Sequence, residues 1–519
     1  MQKIKKIPTY PVLIIFLPFL FFLIGNFYDI NFSQLKILLA VPLIISVLVY
    51  IFIYLILRTT SFKQSRLIAI YLSIIIFIFF NYRLMNLGNV LFLTLLLLIP
   101  IIFIFFISKK NKLEKIFSTT IITMTFVCLV QVLILFYSSV KTNELQFQIY
   151  ENKIFEEIDK PNIYSITLDG YSRSDQLLKI GFDNTNFDKF LEENDFFIAK
   201  EASANYTSTF TSMHAFWMMN YINIKENYLD INISNTRNAL LGKNNILSLL
   251  KKIGYQHIRM GPNQAQLQDC NGNEDLCLYK INEIDGSALG SGRDIYVQIL
   301  LMTPLDKVIS IFLPNFLNRN IYVKTTIDDA YRAWDEIELK TRSPYFFEIN
   351  VWQPHGPYIY DSECEEKLNV TPYSDSAVNN PQIIKQYIEE TICVNKQVRK
   401  FVNKINRVDK KAIILIQSDH GHAFFTDWSL PTNRWSKKAY DSRTSILWAA
   451  KYPNKKCSSY LYKDITPVNT FRILLACLVK KEPILLEDKI YINSAKYSEP
   501  IFLYKNKGIN IYSNENNGS

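Results

Sequence analysis

The chain's densest chemistry lies in four consecutive residues, Ser418-Asp419-His420-Gly421, which close the run Ala412-Ile413-Ile414-Leu415-Ile416-Gln417. A run this apolar reads as a buried strand. A carboxylate and an imidazole at its end are costly there unless their charge is compensated, and a metal ion does that. Two more apolar strands end in polar groups: Ile163–Leu168 runs into Asp169-Gly170, and Tyr345–Val351 runs into Trp352-Gln353-Pro354-His355. Ligands of open α/β sheets bind beyond the carboxyl ends of strands, where Asp169, His355, Asp419 and His420 would stand. A hydroxyl-rich segment, Asn205-Tyr206-Thr207-Ser208-Thr209-Phe210-Thr211-Ser212, follows Asp169 by about forty residues. A hydroxyl is a poor nucleophile at its free pKa, and a metal bound beside carboxylate and imidazole ligands activates it. Taken singly, Asp169 serves equally well as a helix cap, and each hydroxyl as a local turn residue.

The elements that would hold these groups alternate. After the strand at 163–168, helices are expected near 185–194 and over 237–253, then a short strand at 257–260. A helix near 327–340 precedes the strand at 345–351, and a long helix over 381–407 precedes the one ending at Asp419. This order predicts a mostly parallel sheet with helices on both faces. Residues 261–320, irregular and Gly- and Asn-containing, read as an insertion over that domain. Residues 141–160 have the spacing of an amphipathic helix, ended by Pro161. The Asn-rich tail, 506–519, reads as frayed.

The first 140 residues differ in kind. They carry five apolar spans, near 9–28, 35–57, 66–81, 88–108 and 118–140, and a span needs about 20 such residues to cross a bilayer. Of the chain's 57 basic and 47 acidic residues, this part holds 12 and two, so the remainder is neutral with 45 of each. The basic balance is therefore a membrane-topology effect and implies no nucleic-acid partner. Lys3, Lys5 and Lys6, then Arg58, Lys63 and Arg66, then Lys109, Lys110, Lys112 and Lys115 fall in alternate connections. The positive-inside rule then places the N-terminus in the cytoplasm and everything after the fifth span outside it. The expected organisation is a five-helix transmembrane domain over 1–140, a linker helix over 141–160 and an external α/β domain over 161–505. Six of the seven cysteines lie in the external part, which suits an oxidising compartment. Pairing of sequence neighbours is expected: Cys270 with Cys277, Cys364 with Cys393, and Cys457 with Cys477. Zinc binding by Cys270 and Cys277 is the rival reading, and it lacks a second ligand pair nearby.

Strand-Asp169-Gly170, a hydroxyl about forty residues on, Pro354-His355-Gly356-Pro357-Tyr358 and strand-Ser418-Asp419-His420-Gly421 together resemble the alkaline phosphatase/sulfatase superfamily. The helical anchor with an external domain is similar to its membrane branch, which includes phosphoethanolamine transferases and lipoteichoic acid synthases. The resemblance implies that Asp169, Asp419 and His420 hold one divalent metal ion (Mn, Zn, Mg or Ca), with Thr209 as metal-bound nucleophile. It implies that His355 contacts the transferred group or its leaving group, and that His422 is a weaker substrate-binding candidate. Arg443, with Arg434, Lys437 and Lys438, could meet an anionic substrate group. The Cys/Ser-x-Pro-x-Arg pattern of formylglycine sulfatases is missing from the nucleophile segment, which favours phosphoryl-type transfer. The implied activity moves a phospho-headgroup from a membrane lipid donor to a glycan or lipid acceptor through a phospho-threonine. The implied location is a bacterial inner membrane with a periplasmic or extracellular catalytic domain. Hydrolysis of a sulfuric or phosphoric ester shares the first half-reaction. A non-catalytic assembly or binding protein on the same fold is the alternative of another class.

Overall fold

The computed structural model describes residues 10–25, 32–56, 62–82, 111–140, 160–260, 274–278, 299–305, 325–367, 378–493 and 500–510, apart from positions 227, 232, 241, 301, 428–429 and 506–507. The chain divides into two compact units, Met1–Thr142 with Ile281–Val323, and Asn143–Lys280 with Lys324–Ser519.

In the first unit, helices Tyr10–Gly25, Phe32–Ile56, Phe62–Phe80 and Asn111–Val140 fall on four of the five apolar spans. The span at 88–108 lies outside the described residues, as does almost all of 141–160. Among the described residues, two segments, Leu35–Phe52 and Ser118–Tyr137, are long and apolar enough to cross a membrane, while Val12–Ile24 and Ile70–Phe80 are shorter. Ile14, Leu17 and Leu20 pack with Ile70, Ile121 and Cys128. Leu43, Leu48, Phe126, Leu133 and Phe136 stay exposed, so these helices turn apolar side chains outward as well as inward. Part of the segment expected as an insertion over the external domain groups with these helices instead, because Ile299 packs against the cluster of Phe19, Leu23 and Leu38.

The second unit is built on a seven-stranded sheet in the order β2-β9-β8-β1-β7-β5-β6. Its strands are β1 (Ile163–Leu168), β2 (Phe197–Ile198), β5 (Gln256–Met260), β6 (Leu276–Cys277), β7 (Tyr345–Val351), β8 (Ile413–Ser418) and β9 (Trp448–Lys451); the two-residue strands β3 (Ile224–Lys225) and β4 (Tyr228–Leu229) pair apart from it. β8, β1, β7, β5 and β6 run parallel, and β9 and β2 close the edge antiparallel. Register sets the site: Leu168 lies level with Val351 on one side and with Ser418 on the other. Asp169, Trp352 and Asp419 therefore leave the sheet side by side, and the Asp169 N–H donates to the Val351 carbonyl at 3.1 Å.

One face of the sheet is apolar. Tyr164, Ile166, Leu168, Phe347, Ile349, Val351, Ile414 and Ile416 bury against Val394, Val398, Phe401, Val402 and Ile405 of the helix Pro381–Val408. That helix starts where Asn380 accepts from the Gln382 and Ile383 N–H groups, with Pro381 in its first turn. Each large apolar side chain buried here contributes roughly 1.5–3 kcal/mol. Against the other face stand the helices Thr209–Met218, Asn245–Lys252 and Thr470–Leu478.

The single helix expected over 237–253 is two, Ile233–Leu240 and Asn245–Lys252. Gly242 takes φ +94° between them, and Asn244 caps the second by accepting from Leu247 N–H. The helix expected at 327–340 likewise splits, into Ile327–Arg332 and Trp334–Lys340. The C-terminal segment forms a separate sheet of β10 (Ile490–Ile492), β11 (Phe502–Lys505) and β12 (Gly508–Asn510). The frayed tail thus begins later than expected, because Ile509 pairs opposite Tyr504. Disulfides join Cys364 to Cys393 and Cys457 to Cys477. Cys277 is disulfide-bonded too, and Cys270 lies outside the described residues.

Candidate metal and nucleophile site

Asp169, Asp419, His420 and Thr209 meet beyond the ends of β1 and β8. His420 Nε2 lies 3.1 Å from Thr209 Oγ1, 3.4 Å from Asp419 Oδ2 and 3.5 Å from Asp169 Oδ1. Ligand atoms of Asp169, His355 and His420 lie within 4.8 Å of one another. The local backbone is built for this approach. Gly170 takes φ +74° and its N–H donates to Asp419 Oδ1 at 3.1 Å. A Cβ on Gly421 would meet the Ser442 carbonyl at 2.1 Å, so only glycine fits where the loop crosses the helix Lys437–Thr444. Ser418 Oγ donates to the His420 carbonyl at 2.7 Å and accepts from the Tyr171 N–H, tying the loop after β8 to the segment after β1.

The residues fit a cation. His420 Nδ1 is 3.0 Å from the Gly421 carbonyl, which only accepts, so Nδ1 carries the ring proton and Nε2 presents a lone pair. That lone pair faces two carboxylate oxygens. Burial, then the Arg443 guanidinium and His355, push the His420 pKa well below its ordinary value, so protonation does not relieve the contact. Burial in turn pushes the Asp419 carboxyl up, opposed by Thr209, the Gly170 N–H and Arg443. Asp419 Oδ2 is buried and makes no hydrogen bond among the described residues. Two carboxylates, an imidazole lone pair and a hydroxyl converging in a buried place are a donor set for a divalent ion.

Thr209 stands out from the hydroxyls around it. Thr207 Oγ1 bonds Asn493, Ser208 Oγ bonds Thr211 Oγ1, and Ser212 Oγ donates to the Tyr206 carbonyl. Thr207, Thr211 and Ser212 are also buried, whereas Thr209 is partly open. It heads the helix Thr209–Met218 after Ser208, whose extended backbone turns the chain into the helix. The N-terminus of a helix favours anionic oxygens.

His355 sits beside His420, ring centroids 5.9 Å apart. The Trp352 indole N–H, which can only donate, is 3.0 Å from His355 Nδ1, and the Gly356 carbonyl is 2.8 Å from the same nitrogen. The indole contact calls for a lone pair on Nδ1 and the carbonyl contact for a proton there, so the two favour opposite tautomers. With the indole bond made, the ring proton lies on Nε2 and His355 is a donor to an anionic oxygen. His422 is held apart from this group: its ring is buried among Tyr387, Phe424 and Phe425, and burial pushes its pKa down to about 3. Arg443 is buried, donating Nε to the Thr207 carbonyl at 2.7 Å and Nη1 to the Gly421 carbonyl at 3.0 Å. Lys437 pairs with Asp441, and Lys438 lies over the Phe425 ring. The support supplied by Asn493 carries no signal in a single sequence, since it acts on the Thr207 backbone and hydroxyl from 286 residues away.

Residues 194–469 match the family model described as Sulfatase. That stretch includes Thr209, His355, Asp419, His420 and Arg443, while Asp169 precedes it. No curated protein matches the chain significantly. Among solved structures, the integral membrane lipooligosaccharide phosphoethanolamine transferase A of Neisseria meningitidis is similar at 12% identity and TM-score 0.40, covering 91% of this chain and 94% of that one. The periplasmic domain of EptC from Escherichia coli has 10% identity and TM-score 0.39, over 67% and 93%. The phosphonate monoester hydrolase of Agrobacterium radiobacter has 13% identity and TM-score 0.37, over 64% and 80%.

Proposed function

The chain belongs to the sulfatase family, enzymes of sulfate and phosphate esters, and from that premise we propose that it transfers a phospho-headgroup from a membrane lipid to a glycan or lipid hydroxyl. Thr209 is the nucleophile. The observation that carries this reading is the Thr209 hydroxyl, the one member of its segment that reaches His420 among Asp169 and Asp419. A divalent ion held by Asp169, Asp419 and His420 would supply Lewis-acid stabilisation of charge and lower the pKa of the Thr209 hydroxyl.

Thr209 Oγ1 forms a bond to the donor phosphorus as the bond from phosphorus to the diacylglycerol oxygen breaks. The Thr209 proton is lost to water, and the departing oxygen, hydrogen-bonded by the His355 Nε2–H, takes a proton from water. The acceptor hydroxyl then attacks phosphorus, releases Thr209 and gives up its proton in exchange. The helix N-terminus behind Thr209 and the His355 N–H face the charge that grows on the transferred group. Four expected apolar spans ahead of the catalytic unit fall on described helices, and their anchoring of a chain with a lipid donor supports the same reading. The proposed organisation keeps the N-terminus cytoplasmic, crosses an inner membrane five times and places the catalytic unit outside.

Peptide mapping by mass spectrometry tests it. The full-length chain, purified with its metal and incubated with phosphatidylethanolamine or phosphatidylglycerol, is expected to carry the headgroup phosphate on Thr209, with no adduct in Thr209→Ala. Discharge to water alone would make it a hydrolase. No adduct from either lipid or from sulfate and phosphate monoesters would leave the fold as a non-catalytic scaffold.

A further inference from the structure

The nucleophile turn is gripped by a part of the chain that lies beyond the family-matched stretch, which ends at residue 469. β10 is paired on one side only within its sheet, to β11. Its other side runs along residues 205–208. Tyr206 and Tyr491 form a parallel bridge, the Tyr491 N–H donates to the Asn205 carbonyl at 2.8 Å, and the two tyrosine rings stack at 5.4 Å. Asn205 Nδ2 donates to the Lys489 carbonyl at 3.0 Å and to Thr466 Oγ1 at 2.8 Å.

The grip tightens at the residue after β10. Asn493 Oδ1 accepts from the Thr207 N–H at 3.1 Å, and the Asn493 carbonyl accepts from Thr207 Oγ1 at 2.6 Å. The Asn493 N–H donates back to Thr207 Oγ1 at 3.1 Å, and Asn493 Nδ2 reaches Ser208 Oγ at 3.4 Å. Thr207 and Asn493 are both buried, so water does not compete for these bonds. The Thr207 carbonyl is held from the opposite side by Arg443, which also holds Gly421 of the loop after β8. Thr207 is thereby fixed through its N–H, its hydroxyl and its carbonyl, two residues before Thr209.

We propose that Asn493 is a positioning residue: through Thr207 it sets where Thr209 Oγ1 stands against His420, making the C-terminal sheet a working part of the site. This rests on Thr209 being the nucleophile. Only Ser208 separates Thr207 from Thr209, so loosening the clamp moves the attacking atom without touching the donor. The expected signature is a slower chemical step with donor binding intact.

The test uses full-length protein with its metal and phosphatidylethanolamine in mixed micelles, following adduct formation at Thr209 in a single turnover. Asn493→Ala and Thr207→Val are expected to lower the maximal rate about 10- to 100-fold, with half-saturating donor changed less than about twofold. Thr207→Ser, which keeps the hydroxyl, is expected to restore most of that rate. Metal content stays at the wild-type value in all three. If Asn493→Ala fails to fold, the nearly isosteric Thr207→Val carries the test. Wild-type rates in folded clamp variants, or a loss seen only in half-saturation, overturn the clamp and leave the nucleophile standing. An adduct that survives Thr209→Ala, or none in wild type, overturns the nucleophile itself and the clamp with it.

Discussion

The two faces of the central sheet are made of different materials. One carries Tyr164, Ile166, Leu168, Phe347, Ile349, Val351, Ile414 and Ile416 against the long helix Pro381–Val408. The other interleaves Ile163, Phe346, Ile413 and Leu415 with Ser165, Thr167, His257, Arg259, Glu348, Asn350 and Gln417, all buried. Thr167, Asn350 and Gln417 lie level on adjacent strands, two residues below Asp169, Trp352 and Asp419. The polar face is also the one against which the helix headed by Thr209 packs. Volume alone serves the first face, whereas the second depends on particular partners. His257 Nε2 meets Glu348 Oε2 at 2.9 Å, Arg259 approaches Oε1 at 3.6 Å, and Asn350 donates to Oε1 at 2.7 Å. Burial by itself would raise the Glu348 carboxyl, yet Arg259, His257 and Asn350 together hold it below its ordinary value.

The sharpest division between the faces is catalytic. Thr209→Ala and Asp419→Asn are expected to cut headgroup transfer by about a thousandfold or more while the fold persists. On the apolar face, Phe401→Ala is expected to cost about 3–5 kcal/mol in stability and leave activity per folded molecule intact. An activity loss from Phe401→Ala matching that of Asp419→Asn would erase the distinction.

Glu348→Ala is expected to cost a similar amount, about 3–5 kcal/mol, by stranding buried charge. Acid separates the two variants. The folded pKa of Glu348 lies below the ordinary 4.5, so its contribution is complete above that pH and is lost as pH falls through the folded value. Denaturant midpoints measured from pH 7 to pH 3 should show the Glu348→Ala deficit shrinking in acid and the Phe401→Ala deficit unchanged. Parallel deficits would contradict the electrostatic account of the polar face.

His214, on the helix Thr209–Met218, gives a smaller effect at higher pH. Burial pushes its pKa down to about 4, so the folded state keeps it neutral. Its contribution is complete above 6.5 and declines as pH falls toward 4, by about 2–3 kcal/mol. His214→Gln should flatten that limb of a stability-against-pH curve. The smallest effect is expected at Thr167, whose buried hydroxyl makes no hydrogen bond among the described residues. Thr167→Val should shift stability by about 1 kcal/mol or less, in the stabilising direction. A loss of several kcal/mol would mean that the hydroxyl has a partner.

The strands and the residues at their ends were legible in the sequence because both signals are local: an apolar run, then charge. The long helix Pro381–Val408 was legible as well, expected over 381–407. What escaped depends on contacts far apart in the chain. Thr207 to Asn493 spans 286 residues and Arg443 to Thr207 spans 236, and each uses a backbone group that leaves no mark on composition. The break at Gly242 escaped because an apolar helical period runs through it, while its positive φ is a property of the folded backbone. Arg443 read as a free cation for substrate because sequence does not reveal that carbonyls already hold its Nε and Nη1.

We propose that one divalent ion sits where Asp169, Asp419, His420 and Thr209 converge. Anomalous diffraction at the metal edge from crystals of the metal-loaded protein tests it most directly. A single peak is expected within bonding distance of Asp169, Asp419, His420 Nε2 and Thr209 Oγ1, lost in Asp419→Asn. A peak elsewhere, or none at this place in loaded crystals, would contradict it.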